Sequence, residues 1–147
     1  MILLETLSVD PSGQKDVYKR QKQYYAFNGH GDTVSVTDTQ VNLLQGYDYV
    51  AFGNEKGTAQ TISNPFRYCG EYYDEEIGLI YLRARYYAPK NGRFTQEDPH
   101  WNTQNMIYGD HSMQDRQIPS IMAIRQSINL YAYCVNDPIQ LIDPNGE

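Results

Sequence analysis

Positive charge is scarce in this chain. Twelve lysines and arginines stand against 18 aspartates and glutamates, a formal net charge of -6. Phosphate backbones are bound by clustered lysine and arginine, and only Lys15 to Lys22 is locally basic, so no nucleic-acid partner is expected. No apolar run approaches the length of a membrane span. Met1 to Leu4 is too short, and too soon followed by Glu5, to act as a signal peptide. The 2 cysteines, Cys69 and Cys134, do not define a disulfide framework and read as small buried hydrophobes, free unless the fold brings them together. His30, His100 and His111 lack the paired spacing of zinc sites, so the expected metal is none. Phosphate-binding glycine loops, serine nucleophile motifs and cofactor motifs are likewise missing, and no cofactor is expected. Glu75 and Glu76 are adjacent, and on a strand would point to opposite faces, which excludes them as a paired acid and base.

What the chain has in abundance is tyrosine, 14 in 147 residues. Each carries a large apolar ring and a hydroxyl that needs a partner when buried, and aromatic residues favour strands. Residues 1–21 do not share this character. They show no sustained period, and Asp16 to Gln21 (DVYKRQ) resembles a translated sequencing adapter, so they are expected to be a non-native or disordered leader.

From Lys22 onward the pattern is one of strands and turns. Gln23 to Phe27 and Thr33 to Thr37 flank Asn28-Gly29-His30-Gly31, a turn sequence, and Val34 and Val36 alternate with Thr33, Ser35 and Thr37. Val41 to Leu44 and Tyr47 to Phe52 read as the next pair. Leu79 to Tyr87 reads as the strongest strand. It puts Ile80, Leu82, Ala84 and Tyr86 on one face and Leu79, Tyr81, Arg83, Arg85 and Tyr87 on the other. Two guanidinium groups then sit among tyrosine rings, free to stack and to bond Asp74, Glu75, Glu76, Glu97 or Asp98. This arrangement is read as an interior polar ladder, with an anion site as the functional alternative. Arg93 to Thr95 returns as a short strand after the Asn91-Gly92 turn, and Trp101 to Pro119 is a long irregular connection. Ser120 caps a short helix reaching Ile128, on which Ile121, Ile124 and Ile128 share a face. Asn129 to Cys134 and Ile139 to Ile142 read as the last strands.

The stretch from Asn64 to Pro99 concentrates tyrosines, arginines and turn residues in an unusual pattern, and it resembles the core segment of bacterial RHS/YD-repeat proteins. Glu71 to Tyr87 (EYYDEEIGLIYLRARYY) is similar to that family's tyrosine-rich motif, with Tyr72, Tyr73, Tyr81, Arg83, Arg85, Tyr86 and Tyr87 as its structural residues. Gly92 to Pro99 (GRFTQEDP) resembles the turn and strand that follow, and Asn129 to Gly146 (NLYAYCVNDPIQLIDPNG) resembles the terminal signature. Upstream, YYAFNGHGDTVSVTD and GYDYVAFGN look like the last YD-type repeats. The resemblance implies repeats over 22–63 and an RHS repeat-associated core over 64–147.

The implied fold is all-β: antiparallel YD-repeat hairpins forming part of a large β-shell, with one short helix near the C-terminus. The implied function is that of a scaffold fragment enclosing and presenting a variable C-terminal effector or toxin. Its partners would be that effector in the same polypeptide, the upstream YD repeats, and an immunity protein for the effector. Its place would be secreted or at the cell surface, within a longer protein. Some family members look self-cleaving, with aspartates near the terminal signature cutting after an Asp-Pro-X-Gly-Leu sequence. By resemblance the catalytic candidates are Asp98, Asp137 and Asp143, and Asp143, Pro144, Asn145 and Gly146 match the cleavage signature while Glu147 stands in place of leucine. An aspartic dyad needs two carboxyls close enough to share a proton, and each Asp-Pro step is equally a local turn former. A surface carbohydrate-binding module, using exposed tyrosines, is the remaining alternative.

Overall fold

The structure is a computed structural model and describes residues 3–6, 21–57, 59–110 and 118–147. Among these residues eight short strands form two antiparallel sheets of four, each in sequence order. The first contains β1 (Leu3–Thr6), β2 (Gln21–Phe27), β3 (Thr33–Thr37) and β4 (Leu43–Gly46). The second contains β5 (Tyr72–Asp74), β6 (Leu79–Leu82), β7 (Arg85–Ala88) and β8 (Arg93–Phe94). One helix, α1 (Ile121–Ser127), follows, with Ser120 Oγ accepting from the Ala123 amide at 3.2 Å as its cap. The described residues are therefore all-β with one short α-helix near the C-terminus. Within the first 21 residues, Leu3–Thr6 pairs along β2, while residues 1, 2 and 7–20 lie outside those described. His111 and the rest of 111–117, in the long connection, also lie outside them.

The tyrosines build the core. Tyr25, Val36 and Tyr47 form one buried cluster, and Tyr68, Ile80, Leu82, Tyr87, Phe94 and Tyr133 form a second. Tyr49 packs against both, so the two sheets share one apolar interior. Tyr133 stacks on Tyr87 with ring centroids 4.0 Å apart and meets Phe94 edge-on at 5.7 Å. The buried hydroxyls find acceptors at the irregular loops: Tyr68 donates to the Ala51 carbonyl at 2.8 Å, Tyr87 to Phe52 at 2.9 Å, and Tyr25 to Asn64 Oδ1 at 2.9 Å. The first two bonds hold the 47–57 segment against the second core cluster. The approach is close enough at Gly53, whose φ is +81°, that a Cβ would enter the Tyr68 ring.

Four expected strands are different in the structure. Leu79 to Tyr87 is a hairpin rather than one strand, turning at Arg83-Ala84 with Leu82 opposite Arg85. Arg83 adopts φ +59° at the first turn position, a conformation that two-residue hairpins ordinarily reserve for glycine. The turn reverses the phase, so Arg85 and Tyr87 join Ile80 and Leu82 inside, while Tyr86 pairs with Tyr81 on the outer face at 5.3 Å. Tyr47 to Phe52 contributes a single bridge, Tyr49 to Glu55, instead of a strand. Asn129 to Cys134 contributes one bridge, Ala132 to Arg93, before a tight turn in which Cys134, Val135 and Asn136 all have positive φ. Ile139 to Ile142 is turn and coil. The helix forms where expected, but it buries Ala123 and leaves Ile121 and Ile128 exposed. Both cysteines are free and packed against the second cluster, as small apolar groups.

Tyr133 is 1% exposed at the centre of this stack, whereas Tyr131 is 39% exposed. Tyr133→Ala should cost about 3–5 kcal/mol and Tyr131→Ala within roughly 0.5 kcal/mol of nothing, as measured by urea unfolding. Equal losses from the two would contradict the stack as the core.

Candidate functional site

The end of the chain is drawn in beneath the β6–β7 hairpin. The Asp143 carboxylate folds it: Oδ1 accepts from the amides of Asn145, Gly146 and Glu147 at 3.2, 2.7 and 3.3 Å, the local turn chemistry of an Asp-Pro step. The Asn145 carbonyl then accepts from the Ala84 amide at 3.1 Å, and Arg83 donates to the Pro144 carbonyl. Gly146 is buried with φ +72°, and a Cβ there would collide with the Leu82 carbonyl. Only glycine fits that place.

Arg85 anchors the same segment from inside. Its side chain is 2% exposed, and its guanidinium lies 3.6 Å over the Phe94 ring. Nε donates to the Gly146 carbonyl at 2.5 Å, one terminal nitrogen to the Leu130 carbonyl at 3.0 Å, and the other to Asp98 Oδ2 at 3.2 Å, with Asp143 Oδ2 at 3.9 Å. Burial pulls this guanidinium below its usual range, and the carboxylates of Asp98 and Asp143 push back. A guanidinium stays charged in a protein, so the cage is a cation held by two carboxylates and two carbonyls.

Arg83 and Arg85 therefore do not share a face. Arg83 lies on the exposed turn and pairs with Glu71 at 2.9 Å. The combination of stacking and ion pairing expected of both is found at Arg85 and at Arg67, which the sequence reading missed. Arg67 is 5% exposed, lies 4.4 Å from the Tyr73 ring centroid and bonds Glu55 at 2.9 Å. Tyr72 and Tyr81 are exposed neighbours on the outer face of the sheet, while Tyr73 packs on the second core cluster.

Of the three candidate aspartates, Asp98 and Asp143 converge on Arg85. Asp137, like Asp143, acts electrostatically on Cys134, but among the described residues it has no ion pair with Arg85. Beside this cage opens a cleft of about 690 Å³, lined by Asp98, His100, Trp101, Arg125, Asp143 and Glu147. Among the described residues one group of metal-ligating side chains is brought together elsewhere: His30, Asp32 and Cys69, with donor atoms within 4.8 Å of one another. Burial pushes the Cys69 thiol up to about 12 and the Cys134 thiol up to about 11, so neither is a ready nucleophile. Among the described residues no helix is long and apolar enough to cross a membrane.

No family model matches the chain. Among curated proteins it is 37% identical over 129 residues to the tRNA3(Ser)-specific nuclease WapA of Bacillus spizizenii, a match covering 86% of this chain and 5% of the relative. It is 33% identical over 84 residues to the toxin protein Tse5 of Pseudomonas aeruginosa, covering 57% of this chain and 5% of the relative. It is also 29% identical over 140 residues to the double-stranded DNA deaminase toxin A of Burkholderia cenocepacia, covering 89% and 8%. The chain thus spans less than a tenth of the length of each. Among solved structures, the crystal structure of TcdB2-TccC3-TEV matches 93% of this chain and 6% of its own at a TM-score of 0.66 and 26% identity. That of TcdB2-TccC3-Cdc42 matches 90% and 5% at the same TM-score and 25% identity. Homologous to parts of toxins in sequence and to a stretch of the TccC3 structures in fold, this chain belongs to the RHS-repeat family of polymorphic toxins.

Proposed function

We propose that this chain is a scaffold stretch of an RHS shell that encloses and presents a variable C-terminal effector domain. One observation carries the reading. The same stretch recurs in relatives named for unlike chemistries, a tRNA nuclease and a double-stranded DNA deaminase, so it is the part those proteins have in common rather than the part that reacts. The buried Gly146 supports it: a segment pinned under a hairpin through the Arg85 guanidinium suits part of a wall. The upstream repeats, an immunity protein for the effector, and secretion or display at the cell surface belong to the same proposal. So does the division into repeats over 22–63 and core over 64–147, which is consistent with β4 ending at Gly46 and β5 starting at Tyr72. In the longer polypeptide, a reporter domain placed after Glu147 should resist added protease until the shell is unfolded. Immediate digestion of the reporter in the folded protein would overturn enclosure.

The second reading, self-cleavage after the terminal signature, is supported by the convergence of Asp98 and Asp143 where Arg85 grips the Gly146 carbonyl. Both carboxylates pair with the Arg85 guanidinium, whereas a dyad needs its two carboxyls to share a proton with one another. The arrangement thus suits holding better than cutting, and Glu147 adds a charge where the signature has leucine. Intact-mass measurement on the longer polypeptide should show it uncut, with Glu147→Leu giving the only detectable product. Efficient cutting of the native sequence that Asp143→Asn or Asp98→Asn abolishes would establish the enzymatic reading instead.

The two arginines should also separate by substitution. Arg85→Leu leaves Asp98 and Asp143 without their buried partner and should cost about 3–5 kcal/mol. Arg83→Leu, at an exposed pair, should cost at most about 1 kcal/mol. Denaturant midpoints of the two variants test this, and the reverse order would refute the cage.

A further inference from the structure

The Asn28–Asp32 loop between β2 and β3 meets the tight turn at Arg67–Gly70, and the Thr33 amide donates to the Arg67 carbonyl at 3.0 Å. At that corner His30 Nδ1 stands 3.0 Å from Asp32 Oδ1 and 3.8 Å from Cys69 Sγ. A zinc-type cation with bonds of about 2.0–2.3 Å in tetrahedral geometry places neighbouring ligand atoms roughly 3.3–3.6 Å apart. One observed edge is slightly short and the other slightly long, within reach of small side-chain rotations. We propose that His30, Asp32 and Cys69 form a binding site for a divalent zinc-type cation, completed by water, that ties the β2–β3 loop to the core of the second sheet.

The outer contacts of these side chains point the same way. His30 Nε2 faces the Leu141 carbonyl at 3.4 Å. Nδ1 faces the Asp32 carboxylate at 3.0 Å, where an N–H would donate to the carboxylate and a lone pair would share a cation with it. Fixing the imidazole through its other nitrogen is how metal-binding histidines are oriented. The experiment separates a shared cation from an ordinary His–Asp hydrogen bond. Asp32 is preset as well, since Oδ2 accepts from Asn28 Nδ2 at 2.8 Å and Oδ1 from the Cys69 amide at 2.9 Å. The left-handed φ of +51° at Cys69 turns that amide and its side chain toward the loop.

The donor set selects the ion. One sulfur, one imidazole nitrogen and one carboxylate oxygen suit zinc and its close neighbours, whereas magnesium and calcium take oxygen alone. On binding, the Cys69 S–H bond is replaced by a sulfur–metal bond and the proton leaves to solvent, with no change of oxidation state. The His30 side chain is 19% exposed and that of Asp32 9%, so the corner is reachable from outside. No sequence spacing announces the site, because 37 residues separate Asp32 from Cys69.

Cobalt(II) is the probe, as a spectroscopic stand-in for zinc titrated into the 147-residue chain. One equivalent should produce a thiolate-to-cobalt charge-transfer absorption in the near ultraviolet, which added zinc removes. Cys134→Ser, outside the cluster, should leave it intact, Cys69→Ser should abolish it, and His30→Gln should weaken cobalt binding by at least about tenfold. Absence of the absorption, or its survival in Cys69→Ser, would overturn the proposal in favour of the hydrogen-bonded pair. Because His30 sits on a partly exposed loop, His30→Gln keeps the question open to refutation even if Cys69→Ser fails to fold: unchanged cobalt affinity in that variant also refutes the site.

Discussion

A single buried cation, the Arg85 guanidinium, ties together the parts of the second half of this chain. It lies on the Phe94 ring from β8, reaches the Leu130 carbonyl beyond α1, takes Asp98 from the loop after β8 and holds the Gly146 carbonyl at the end. The β8 segment and the stretch after α1 also meet through the backbone, the Phe94 amide donating to the Tyr131 carbonyl and the Asp98 amide to the Leu130 carbonyl, both at 2.9 Å. A charge in an apolar interior is tolerated only with partners on several sides, so the need to surround Arg85 dictates where each of the four must be. The tyrosine stack supplies the low-polarity wall that makes this requirement strict.

Much of the architecture could be read from the sequence because local signals agreed with one another. Thr33 to Thr37 matches β3 to the residue, since alternation, β-branching and the preceding turn residues all say the same thing. The Ser120 cap located α1 for the same reason. The hairpin in Leu79 to Tyr87 was hidden, because nothing about Arg83-Ala84 signals a turn. What bends the chain there is tertiary: Asn145 bonding the Ala84 amide, Pro144 receiving Arg83, and Gly146 filling the space beneath Leu82. One missed turn then inverted the faces of every residue after it, as the two-residue period requires.

The candidate site was legible in part. Asp98 and Asp143 were singled out and do meet, but through an arginine that the period-two reading had placed in a ladder with Arg83. Asp137 ends the turn over Cys134 to Asn136. Arg67 and the His30–Asp32–Cys69 corner escaped notice because their partners come from loops, whose convergence no periodicity encodes.

The pinning of Asn145 and Gly146 under the β6–β7 turn bears on the order in which the chain comes into being. The hairpin leaves the ribosome some sixty residues before the segment that closes it, as the separation of 61 between Arg85 and Gly146 records. Until the Asp143–Gly146 segment emerges, Arg85 lacks the Gly146 carbonyl and its second carboxylate, and the turn at Arg83 lacks its brace. Vectorial synthesis thereby makes the bracing of this hairpin a later event than its formation.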